Sequence, residues 1–109
     1  MRLPWRRGTQ RARRLRPATR ADLEHLGQFA RTRTGVEAYL EPRTVLTETT
    51  LVLVADTGEW TRRRVDGPAG ASAFAKKHKL PLYEVGVVGY PQRMRQWTER
   101  RKAGEVGPA

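Results

Sequence analysis

Residues 49–55 are Thr49, Thr50, Leu51, Val52, Leu53, Val54 and Ala55, a stretch without a charge. A strand with one wet face would carry a polar residue at every second position. A β-branched, nearly continuous apolar run is instead the pattern of a central strand covered on both faces. Such a strand needs neighbours on either side. Asp56, Thr57, Gly58 and Glu59 supply a tight turn, and residues 60–65 return as the next strand. Upstream, Val36, Ala38 and Leu40 alternate with Glu37, Tyr39 and Glu41, which predicts a half-buried strand broken by Pro42.

Helices flank this group. Thr19 stands three residues before Asp22, a capping-box spacing, and Leu23, Leu26, Phe29 and Ala30 follow at helical intervals. The helix is expected to reach about Arg33, with Gly27 weakening it and Gly35 ending it. Asp66, Gly67 and Pro68 open a second helix whose stripe is Ala71, Phe74, Ala75 and His78. Lys76, Lys77 and Lys79 suit its C-terminal dipole, with His78 as a helix-end cation and Pro81 as the stop. Residues 82–88 are apolar enough for a further strand, Gly89, Tyr90 and Pro91 for a turn, and residues 92–102 for a basic helix with Met94 and Trp97 on its apolar side. The expected fold class is α+β in one small domain, order α-β-β-β-α-β-α, with a mixed three- or four-stranded sheet and helices packed on it. The domain spans 19–102, between a disordered basic arm at 1–18 and a loose tail at 103–109.

Charge is distributed unevenly. The net charge of +11 leaves residues 21–90 neutral, with nine bases against nine acids. Residues 1–20 hold eight arginines and no acid. Basic arms on a neutral core are the arrangement of electrostatic anchoring to a polyanion, because each neutralised phosphate releases counterions. The candidate nucleic-acid-binding residues are therefore Arg6, Arg7, Arg11, Arg13, Arg14, Arg16 and Arg20 at one end, and Arg93, Arg95, Arg100, Arg101 and Lys102 at the other. Trp60, Arg62 and Arg64 alternate onto one strand face, where an indole between guanidinium groups can stack a base. The same arginines can equally pair across the sheet with Glu37, Glu41 or Glu48. A solvated tail without a partner, or a start site placed too far upstream, would also account for the arm.

Cysteine is absent, so disulfides and thiolate metal sites are excluded. No stretch nears the ~20 apolar residues of a membrane span, and no apolar segment follows the basic N-terminus as in a signal peptide; a cytoplasmic location is expected. Gly67, Pro68, Ala69 and Gly70 lack the spacing of a dinucleotide or P-loop fingerprint. His25 and His78 lie on separate helices without a Ser, Asp and His grouping. No catalytic residue, cofactor or metal is assigned.

Two resemblances bear on function. The order α-β-β-β-α-β over residues 21–88 resembles the restriction-endonuclease-like core, whose metal is held by an Asp ending one hairpin strand and an acid-x-Lys triplet on the next. Asp56 and Glu59 would be the acids, but Thr61 stands where that family has lysine. The segments from Thr34, Gly35, Val36, Glu37, Ala38 and Tyr39 through Gly89, Tyr90, Pro91, Gln92, Arg93, Met94 and Arg95 resemble a group of short basic actinobacterial proteins, some labelled oxidoreductase. No redox cysteine or cofactor fingerprint accompanies that resemblance. The leading expectation is a non-enzymatic protein bound to RNA, ribosomal RNA included, or to DNA. An adaptor for an acidic protein partner and a degenerate metal-dependent nuclease are the alternatives.

Overall fold

The computed structural model describes residues 18–104. The arm through Pro17 and the tail beyond Gly104 lie outside the described residues. Helix α1 (Arg20–Thr32) starts at the expected capping box: the Asp22 amide donates to Thr19 Oγ1 at 3.1 Å, and the Thr19 amide donates to Asp22 Oδ2 at 2.9 Å. Two of the first turn's orphan donors are thereby satisfied. The order continues with β1 (Glu37–Glu41), β2 (Thr50–Val54), β3 (Trp60–Arg64), α2 (Gly67–Lys77), β4 (Leu82–Glu84), the single-turn α3 (Val85–Val88) and α4 (Gln92–Lys102).

The four strands form one mixed sheet in the order β3-β2-β1-β4. β1 and β3 flank β2 antiparallel, and β4 runs parallel to β1. The α+β class and element order are as expected, with α3 added. β2 is the central strand its composition demanded, and Leu51 to Val54 are fully buried. Its alternate residues enter two separate clusters. Leu51 and Leu53 join Leu26, Phe29, Ala38, Leu40, Ala71 and Phe74 under α1 and α2. Val52 and Val54 join Tyr39 and Met94 on the opposite face, under α4.

Several expectations need correction. β1 is not half-buried: Tyr39 is 6% exposed because α4 covers that face. Its hydroxyl donates to Glu37, and burial pushes its pKa up to about 12. Leu23 does not belong to the apolar stripe of α1, since it is 43% exposed, and Leu26 and Phe29 carry the contact. Residues 82–88 are not one strand. Only Leu82, Tyr83 and Glu84 pair with β1. Past them the chain leaves the ladder and satisfies its backbone in a helical turn in which the Gly89 amide donates to the Val85 carbonyl at 2.8 Å. α2 ends at Lys77, before Pro81, with Lys79 in the left-handed region at φ 58°.

His78 caps the C-terminal end of α2. Burial, then the charges of Lys77 and Arg31, hold its pKa below the usual imidazole value, and its ring packs 4.4 Å from that of Phe74. The Ala18 amide donates to Asp66 Oδ1 at 3.1 Å, and Ala103 and Gly104 close the end of α4 onto the carbonyls of Glu99 and Arg101.

Candidate nucleic-acid interface

Among the predicted contact residues, Arg6, Arg7, Arg11, Arg13, Arg14 and Arg16 lie outside the described residues. Arg20 is at the solvent-facing start of α1, 3.6 Å from Glu24 in an exposed i,i+4 pair.

The Trp60 face of β3 is committed to the fold. Register places Trp60 opposite Val54 and Arg62 opposite Val52, on the face that α4 covers. The indole Nε1 donates to Thr98 Oγ1 of α4 at 2.9 Å. Arg62 lies 5.2 Å from the indole centroid and grips Glu41 with both arms of its fork, at 2.7 and 2.9 Å. Glu41 also accepts from Thr50 and from the Tyr90 hydroxyl. Burial would raise the pKa of Glu41, but these hydrogen bonds outweigh it and hold the carboxyl below its usual value. Arg64 turns toward α1, 4.0 Å from Asp22, and its Nε is buried with no hydrogen-bond partner among the described residues. Cross-strand pairing to Glu41 is thus realised for Arg62, whereas Arg64 goes to Asp22 and not to Glu37, Glu41 or Glu48.

The C-terminal helix divides its cations. Arg93 faces inward, donating from Nε to the Ala55 carbonyl at 2.9 Å and from Nη2 to Glu37 at 2.8 Å. Arg100 reaches the Thr57 carbonyl at 3.3 Å, and the Arg101 guanidinium lies 5.0 Å from the Trp97 ring centroid. Arg95 and Lys102, seven residues apart and so on one side of the helix, are exposed.

The two acids of the nuclease resemblance are engaged elsewhere. Asp56 accepts from Thr34 Oγ1 at 2.8 Å. Glu59 is clasped by Arg33 at 2.6 and 3.1 Å, which lowers its pKa. No group of three or more His, Asp or Glu side chains that could hold a metal occurs among the described residues.

The structure also brings together residues that sequence order kept apart. Between α1 and the β3 edge of the sheet lies an open cleft of about 440 Å³. His25, Gln28, Phe29 and Arg33 line it from α1 and beyond, and Glu59, Trp60 and Thr61 from the hairpin. A ring nitrogen of His25 is 2.6 Å from Thr61 Oγ1. Burial, followed by the charges of Arg63 and Arg33, lowers the His25 pKa and favours the neutral ring. Such an imidazole presents one donor and one acceptor. Sequence reasoning missed the cleft because its two walls are about thirty residues apart; only the periodicity of α1, which puts His25, Gln28 and Phe29 within one turn, hinted at it.

The fold and cleft define a small α+β domain with a helix-flanked open sheet edge. Comparisons with family models, with curated proteins and with solved structures find no match.

Proposed function

We propose that this protein is a non-enzymatic nucleic-acid-associated protein, held to RNA or DNA by its arginine-rich N-terminal arm with a second contact from α4. The observation that carries this is how the charge is used. Arg33, Arg62, Arg64 and Arg93 pair with Glu59, Glu41, Asp22 and Glu37 inside the fold. The chain's positive excess therefore lies with the arginines of residues 1–20, where there is no acid, and with outward cations such as Arg95 and Lys102. Cation-rich segments give salt-dependent, sequence-independent affinity for phosphate backbones.

The test is a salt titration of binding to labelled RNA and duplex DNA, with the full chain and a chain starting at Thr19. The expected log–log slope is about −0.9 per neutralised phosphate on duplex DNA and about −0.7 on a single strand, with most of it lost on truncation. No binding by the full chain near physiological salt would refute the proposal.

One observation favours a second reading, an adaptor for a protein partner. Val45 and Leu46 follow the end of β1, and Val87 and Val88 follow the end of its parallel neighbour β4; all four are more than half exposed. Apolar groups gathered at one end of a sheet suit a protein contact. In that case removal of the arm slows association and leaves the dissociation rate unchanged.

A further inference from the structure

We propose that the cleft between α1 and the β3 edge takes up one unstacked nucleobase of a single strand, with Gln28 reading its edge and Arg63 holding its phosphate. This rests on the nucleic-acid reading above and specifies the form of strand involved.

Four observations converge. The first is size. About 440 Å³ exceeds what one base occupies and lies within the range of small-molecule sites. The second is the character of the walls. The Phe29 ring is buried beneath the cleft and capped by the Arg33 guanidinium 4.7 Å from its centroid, while the Trp60 indole itself is held on the α4 face by Thr98. A partly exposed guanidinium plane such as that of Arg33 is one of the surfaces on which proteins hold splayed-out bases.

The third is the set of polar groups. Gln28 is exposed on α1, and its amide offers a donor and an acceptor side by side, the pairing that matches a base edge. His25 and Thr61 add a neutral donor–acceptor pair at hydrogen-bonding distance. The Arg33–Glu59 pair closes one side without net charge. A cleft whose charges cancel suits an uncharged base better than a phosphate.

The fourth is placement. Arg63 neighbours Thr61 on the same face of β3, is exposed, and acts on the His25 ring through its charge. Its hydrogen bond from Nη1 to the Arg62 carbonyl uses one of five donors. The cleft also shares α1 with the arm: six residues of helix rise, about 9 Å, separate Thr19 from His25. A strand gripped by the arm is thus led along α1 to the cleft.

The experiment compares a labelled ten-nucleotide single strand with the duplex of the same sequence at one salt concentration. It uses the full chain and its Gln28→Ala, Gln28→Trp and Arg63→Ala variants, each checked by thermal melting. Gln28 is a helix-surface residue, so its variants are expected to fold. The native protein should prefer the single strand. Gln28→Ala should weaken single-strand binding about threefold to tenfold, as for one lost hydrogen bond, and leave duplex binding unchanged. Gln28→Trp, which fills the cleft, should abolish the preference. Arg63→Ala should weaken single-strand binding and, in a salt series, reduce its slope by about 0.7.

Equal binding of both forms, with no effect of Gln28→Trp, would overturn the cleft proposal while an arm-dependent salt slope left the nucleic-acid reading standing. Competition by a free nucleoside monophosphate as effective as the oligonucleotide would overturn the strand in favour of a small ligand. Absence of binding by the full chain would remove both.

Discussion

Gly58 and Arg93 meet backbone to backbone: a Cβ placed on Gly58 would lie 2.1 Å from the Arg93 carbonyl oxygen. The β2–β3 turn is thus pressed directly against the first turn of α4. Gly58 also has φ +95°, a conformation that side-chain-bearing residues rarely adopt.

Gly58→Ala should therefore destabilise the domain by about 3 kcal/mol or more, strain and overpacking acting together. Gly67, at φ +72° with open space around it, is the control. Gly67→Ala should cost only about 1–2 kcal/mol, from backbone strain. Urea titrations of both variants distinguish them, and equal losses would show that contact with α4 contributes nothing.

Arg93 fastens α4 from the other side, bridging the Ala55 carbonyl and Glu37 with two different nitrogens. Arg93→Met should cost about 1.5–3 kcal/mol, the range for hydrogen bonds to charged groups. Arg93→Lys should not restore it, since an ammonium lacks the fork that reaches both acceptors. A double-mutant cycle with Glu37→Gln measures the share carried by the pair, and full rescue by lysine would count against this geometry.

Acid should weaken the fold in two stages. His25 and His78 both have pKa values below the usual 6.5, so the unfolded chain takes up protons first as the pH falls. Stability present above pH 6.5 is lost as pH drops through the folded-state values, with a slope of at most about 1.4 kcal/mol per pH unit for each histidine. Asp22, Glu37, Glu41 and Glu59 are lowered from 3.8 or 4.5, which adds a second loss at lower pH. Melting temperatures measured from pH 8 to 3 test this; Gln at positions 25 and 78 should flatten only the upper stage.

Val87 and Val88 are 78% and 54% exposed, so changing either to Ser should alter stability by no more than about 0.5 kcal/mol. Val52→Ala or Val54→Ala, in the buried strand, should cost several times more. A loss at Val87 matching that at Val52 would mean that Val87, and not only Val85, is packed on the core.

These contrasts mark where local pattern carried structural information. The run through Val52 and Val54, the Thr19–Asp22 box and the Asp56–Glu59 turn are short-range signals, and each appears in the fold as expected. β4 ends at Glu84 although β1 runs on to Glu41, so where it leaves the ladder is settled by the docked chain and not by the apolar run of residues 82–88. The alternation of Trp60, Arg62 and Arg64 placed the first two with Val54 and Val52. It could not show that α4 would cover Trp60 or that Arg64 would swing toward Asp22. The cleft was illegible for the same reason, because His25 meets Thr61 only once α1 has docked on an edge strand.

The covering of Tyr39, Val52 and Val54 by the last helix has a consequence during synthesis. A ribosome releases the chain from its N-terminus, so the three antiparallel strands and α1 emerge well before Met94. Until then, half of the central strand's side chains have no lid, and the partly made sheet presents a sticky apolar face. We expect chains truncated before residue 92 and freed from the ribosome to be captured by holding chaperones or to self-associate, and full chains to escape capture once α4 has cleared the ribosome.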